Sequence, residues 1–253
     1  SLSGSITDQA PADNPIASIF GSNGATEAQG LDVLISAIQV AKDNNNIKGI
    51  YIEGGALQSD YATNEELRRA LLDFKKSKKW IIAYADSYTQ GAYYIASVAD
   101  KVFLNPSGLL DWHGIAHQST FYTGLMEKLG VKAQVFKVGT FKSAVEPFTL
   151  KQMSEANRLQ MSVLIGGLWK DICASVGASR NISSDSLNAY ADRYLALADA
   201  QDYKNLKLVD ELTYIDQVRE QLHQRAGEDF SMVDPSTLAA LEQPQAAENI
   251  AVY

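Results

Sequence analysis

Three short apolar runs, separated by two helix-like stretches, constrain the fold of this chain more than anything else in it. Residues 47–53, 80–85 and 101–105 read as strands. Between the first two, Thr63-Asn64-Glu65-Glu66 opens a helix, with Thr63 as its N-cap and Glu66 as the capping-box partner. Leu67, Ala70, Leu71 and Phe74 make the inner stripe of that helix. Between the second and third strands, a loop at 86–91 leads into a helix over 92–99. Strand, helix, strand, helix, strand within about 60 residues implies parallel pairing through right-handed crossovers. The expected fold class is α/β, with a mainly parallel sheet.

The rest of the chain extends this pattern. Residues 1–30 are rich in Ser, Asp, Asn, Gly and Pro and read as a mostly irregular segment. Leu31, Leu34, Ile35, Ile38 and Ala41 follow helical spacing. A helix is expected over 121–129, a strand over 131–138, a long helix from Ser154 to about Val176, and a last helix over 215–222. One unit over 31–223 is therefore expected, then a polar linker at 224–248. Residues 249–253 look like the start of a further strand, which suggests a fragment of a longer protein.

Bulk properties remove several function classes. The net charge is −8, and no basic cluster offsets it, which argues against a nucleic-acid partner. Lys75-Lys76-Ser77-Lys78-Lys79 falls at a helix-to-strand junction and reads as a complement to the helix dipole. A single cysteine, Cys173, excludes an internal disulfide and reads as a small core residue. No apolar run reaches the ~18 residues of a membrane span, and no signal peptide opens the chain. On this reading the chain is cytosolic, or its anchor lies outside it. His113 and His117 have no glutamate between them and read as loop residues, not a metal site. The patches Gly21-Ser-Asn-Gly24 and Gly54-Gly55 lack phosphate-binding spacings, so no cofactor is expected.

One charged residue stands out chemically. In Val138-Gly-Thr-Phe-Lys-Ser-Ala-Val-Glu-Pro-Phe148, Lys142 lies among small and apolar neighbours. A lysine held there loses hydration, which makes its ammonium form costly. Bringing any lysine from roughly 10.4 to about 7–8 requires on the order of 4 kcal/mol. A neutral amine can take a proton from a serine hydroxyl. The plainer alternative is a helix-start lysine paired with Glu146. An ionised partner opposes a base role, so a basic Lys142 requires Glu146 to point away from it. Ser143 either hydrogen-bonds Lys142 or caps the following helix.

The element order, Gly54-Gly55, Thr89-Gln-Gly-Ala-Tyr-Tyr94, the tract from Tyr93 to Pro106, and the Lys142 segment resemble the signal peptide peptidase A family, also called protease IV or peptidase family S49. The resemblance covers about residues 31–222, and is narrowest with the amino-terminal half of the long, two-repeat bacterial form. It implies a Clp/crotonase-like fold of ββα repeats, with a mainly parallel sheet and C-terminal helices. It also implies a Ser-Lys dyad split between two repeats. Lys142 matches the family's general base residue by residue. Gln90 stands where short members of the family carry the nucleophilic serine, and a carboxamide cannot attack a carbonyl as an alkoxide does. Ser87 and Thr89 precede the helix-start position that exposes a nucleophile. Gly54 and Gly55 correspond to an oxyanion turn, but without a serine beside them they read as structural.

The implied partner is therefore the C-terminal repeat of the same protein, or a neighbouring subunit, which brings the serine. The resemblance further implies a homotetramer on the periplasmic side of the bacterial inner membrane, anchored by a segment absent here, that degrades cleaved signal peptides. This chain alone is expected to be inactive. Two other readings stay open: a non-catalytic scaffold repeat, and a crotonase-type acyl-CoA enzyme. The latter lacks a catalytic carboxylate after the glycine turns.

Overall fold

A computed structural model describes residues 2–9, 28–193, 195–227 and 230–241. Six parallel strands form one sheet: β1 (Leu2–Thr7), β2 (Gln29–Gly30), β3 (Gly49–Gln58), β4 (Trp80–Tyr88), β5 (Lys101–Leu110) and β6 (Glu211–Leu212), in the order β2-β1-β3-β4-β5-β6. The fold is α/β, as the strand-helix alternation requires. Helices α1 (Leu31–Asp43), α2 (Tyr61–Phe74) and α3 (Gln90–Ala96) link the early strands.

The apolar runs are continuous because both sheet faces are covered. Ile81, Ala83, Ala85, Val102 and Leu104 join the large core that holds α1, α2 and α3. The alternate residues Ile82, Tyr84 and Phe103 meet Val218 and Leu222 of α9 (Ile215–Ala226) on the other face. Ile81, Ile82 and Phe103 are fully buried, and each such side chain contributes about 1.5–3 kcal/mol.

Several expectations need correction. Within the opening segment, of which residues 10–27 lie outside the described residues, Leu2–Thr7 forms a strand the sequence did not suggest, β1, which pairs with both β2 and β3. The cap of α2 is Asp60 rather than Thr63: the Asp60 carboxylate accepts from the Thr63 N–H at 2.8 Å. The middle strands outrun the expected bounds, so Gly54 and Gly55 lie inside β3 instead of in a turn. Gly54 faces the Tyr88 ring, and a Cβ there would approach it to 2.7 Å, so this glycine serves close packing between β3 and β4.

Residues 131–138, expected as a strand, join no strand among the described residues. Their alternation suits a strand, but a strand needs a neighbour for its N–H and C=O groups. The segment stands outside the sheet, with Phe136 98% and Val138 90% exposed. The long helix, α6 (Glu155–Arg180), runs past its expected end and stops at Asn181 in the left-handed region, φ 55°. Among the described residues it alone is long and apolar enough to cross a membrane by length and composition, against the expectation that no run is. Its second half nevertheless buries Ile172, Cys173 and Val176 in the body.

The expected linker is partly structured. Helix α9 continues to Ala226, and α10 (Pro235–Ala239) returns Leu238 to the main core beside α1. Residues 249–253 lie outside the described residues.

Candidate active site

Lys142 sits on an arm that leaves the sheet after β5 and returns along α6. Helices α4 (Thr123–Leu129) and α5 (Glu146–Thr149) tie the arm to itself. The Tyr122 N–H donates to the Pro147 carbonyl at 2.7 Å, and the Thr123 hydroxyl to the Leu150 carbonyl at 2.9 Å. The Tyr122 and Phe148 rings stack with centroids 5.8 Å apart. Gly139, at φ +101°, turns the chain between the extended stretch and Lys142. That conformation is costly for any residue with a Cβ. Lys142 then caps a 3-10 turn over Ser143–Val145.

The amine is not buried, contrary to the expectation that its neighbours would desolvate it. Lys142 is exposed and has no hydrogen-bond or ion-pair partner among the described residues. Apolar neighbours in sequence dehydrate a side chain only when something packs over them. Here Phe136, Val138, Phe141 and Phe148 are themselves uncovered. Ser143 makes neither of the two contacts considered for it among the described residues.

Glu146 is accounted for. It is 1% exposed, and its carboxylate accepts from the Ser154 hydroxyl at 2.6 Å, the Ser154 N–H at 3.2 Å and the Asn157 amide at 2.9 Å. The Ser154 hydroxyl bond holds its carboxyl below the ordinary value; burial opposes this, and Asn157 and the Ser154 N–H reinforce it. The charge faces the N-terminus of α6, where the helix dipole favours an anion. Glu146 thus points away from Lys142 and braces the arm.

Gln90 begins α3, and Thr89 caps that helix by accepting from the Ala92 N–H at 3.3 Å. The Gln90 carboxamide oxygen accepts from the His113 and Gly114 N–H groups at 3.0 and 3.1 Å, and its amide donates to the Gly114 carbonyl at 3.1 Å. Ser87 is also committed. Its hydroxyl donates to the Asp86 carbonyl at 2.8 Å and accepts from the Leu109 N–H at 3.2 Å, bridging the register shift between β4 and β5. His113 pairs with Asp111 at 3.1 Å, and His117 lies 3.0 Å from the Ser119 hydroxyl; both rings are exposed. Cys173 is buried, which pushes its thiol up to about 11.

Residue types alone did not reveal how the arm is rooted. Trp112 is fully buried and donates its indole N–H to the Leu187 carbonyl at 2.8 Å. Its ring lies 5.0 Å from that of Trp169, where α6 rejoins the body. Arg68 of α2 is 2% exposed and has no carboxylate partner among the described residues. It donates to the Tyr94 and Ser175 carbonyls and to the Ser97 and Ser179 hydroxyls, and so holds α6 against α2 and α3.

The parallel sheet, its crossover helices and the arm that follows β5 define an α/β domain. The model of Peptidase family S49 matches residues 73–229, more than half of the chain, and the chain belongs to that family. It is 39% identical over 168 residues to Protease 4 of Haemophilus influenzae, covering 64% of this chain and 27% of that protein. Against Protease 4 of Salmonella typhi it is 38% identical over 192 residues, covering 74% and 31%. The chloroplastic serine protease SPPA of Arabidopsis thaliana matches at 28% over 181 residues, covering 72% and 26%. The chain thus spans about a quarter to a third of the length of these relatives. Among solved structures, a probable enoyl-CoA hydratase/isomerase from Mycobacterium abscessus superposes with a TM-score of 0.39 at 12% identity, covering 80% of this chain and 66% of that one. A likeness that slight carries no argument about function.

Proposed function

We propose that this chain is the lysine-bearing repeat of a serine endopeptidase that degrades cleaved signal peptides, with Lys142 as the general base. The nucleophilic serine comes from a second repeat of the same protein or from a neighbouring subunit. The observation that carries this reading is the setting of Lys142: among the described residues it stands free on an arm, beside apolar side chains that they leave uncovered. A surface of that kind is what an interaction site looks like. Docking a partner there removes water from the amine, favours its uncharged form, and brings it within the ~3 Å of a hydroxyl that proton transfer needs. The absence of a nucleophile at Gln90 supports the division of labour. Family membership supports a homotetramer on the periplasmic face of the inner membrane, anchored by a segment outside this chain. Signal peptides suit a site with apolar walls, because their central segments are apolar.

The test is Lys142→Ala in the full-length protein. Peptidase turnover on an apolar peptide should fall by roughly 10²–10⁴-fold, the range for loss of a general base. Unchanged turnover would overturn the base role. Purified residues 1–253 should not cleave the same peptide, and robust hydrolysis by them would overturn the split site.

A further inference from the structure

We propose that Gln90 is a positioning residue for the reaction: its carboxamide clamps the root of the arm and thereby sets where Lys142 stands. The inference rests on the base role argued above for Lys142 and adds a residue to it.

The three Gln90 bonds fall on two consecutive residues, His113 and Gly114. Just beyond them the chain leaves the body, and most side chains from 116 to 168 are exposed or half-exposed. Gly114 turns at φ +84°, so the clamp closes at the bend where the arm departs. The carboxamide suits this place because it carries an acceptor and a donor on one rigid plane. Its oxygen takes two N–H groups and its nitrogen serves the carbonyl of the second residue. Rotating the amide by half a turn would set a donor against two donors, so the bonding pattern permits one orientation. A serine hydroxyl at this site, two heavy atoms shorter, cannot span the same three groups.

Gln90 begins α3, whose residues Ala92, Tyr93, Tyr94, Ile95 and Ala96 are all buried, so the clamp is mounted on a fixed element. On the return side, Trp169 and Arg68 hold α6. The arm is thus gripped at both roots, and on the outgoing side Gln90 holds the two residues that directly follow the buried Trp112. A long arm converts a small rotation at its root into a larger displacement at its tip, and a shift of about 1 Å in a catalytic group can cost 10²-fold in rate.

The experiment uses full-length protein and compares wild type, Gln90→Ala, Gln90→Glu and Lys142→Ala. Rates on an apolar peptide are referred to the concentration of folded assembly measured by sedimentation, which removes any loss of folded protein from the comparison. Hydrogen exchange is followed at the His113 and Gly114 amides. Gln90→Ala should lower kcat by roughly tenfold or more with KM within about twofold, and speed exchange at those two amides by about tenfold or more. Gln90→Glu keeps the acceptor for both N–H groups but sets an oxygen against the Gly114 carbonyl, so its rate should fall between those of wild type and Gln90→Ala. The proposal is overturned if Gln90→Ala leaves kcat and exchange unchanged, or if Gln90→Glu is as slow as Gln90→Ala. Lys142→Ala separates the two claims. If it abolishes turnover while the Gln90 variants are as fast as wild type, the base role stands and the clamp falls. If it leaves turnover intact, the base role falls, whatever the exchange at His113 and Gly114.

Discussion

The rings of Trp112 and Trp169 lie 5.0 Å apart, tilted by 47°, and join the point where the arm leaves the body to the point where it returns. Trp112 also meets Tyr93 edge-on at 5.8 Å, and so ties this junction to α3. Trp112→Ala would open a cavity at the junction and orphan the Leu187 carbonyl. It should cost about 3–5 kcal/mol in urea unfolding. A cost below about 1 kcal/mol would show that the arm and body are not joined through this ring.

The arm surface makes a contrasting prediction. Phe136 is 98% exposed, so Phe136→Ser should change the unfolding free energy of residues 1–253 by no more than about 0.5 kcal/mol. In the full-length protein the same substitution should lower peptidase turnover and shift the assembly toward smaller species in sedimentation. Full activity with unaltered assembly would mean that no partner covers this face.

Asp210 and Arg180 predict a pH dependence. Arg180 donates to the Asp210 carboxylate at 2.9 Å, and Asp210 also accepts from the Val102 N–H at 2.7 Å. Burial pushes the Asp210 carboxyl up, but the bond from Arg180, the Val102 N–H and the nearby positive charge together hold it below its ordinary value. A carboxyl depressed in the folded state stabilises the fold above its unfolded value of about 4. That contribution is lost as pH falls through the lower folded value. The stability difference between wild type and Asp210→Asn should therefore be largest near pH 6 and shrink below about pH 4. A difference that stays constant down to pH 2.5, measured by urea unfolding, would remove Asp210 as the titrating group.

Much of the fold was legible locally. Apolar runs such as Ile81-Ile82-Ala83 can be satisfied only between two covered faces, and the helical stretches between them force parallel connections. The Lys142 segment stood out because a lysine among residues apolar in sequence suggests a conflict with ordinary solvation. What misled was the environment. Apolar neighbours at Phe136, Val138 and Phe141 suggested burial, and the chain instead leaves them bare. The strand expected over 131–138 failed for the same reason: alternation describes what a segment can pair with, and only a neighbour provides the pairing.

By itself, the sequence determined the α/β class and the order of the central elements, because propensity and periodicity act over short distances along the chain. Only the tertiary structure decided that Gln90 grips His113 and Gly114, that Arg68 is satisfied by four neutral oxygens, and that Glu146 turns to Ser154 and Asn157. Except for the nearby Ser154 and Asn157, those partners lie more than twenty residues away in sequence. Side-chain hydrogen bonds reach only about 3 Å, so which groups meet depends on how the elements pack.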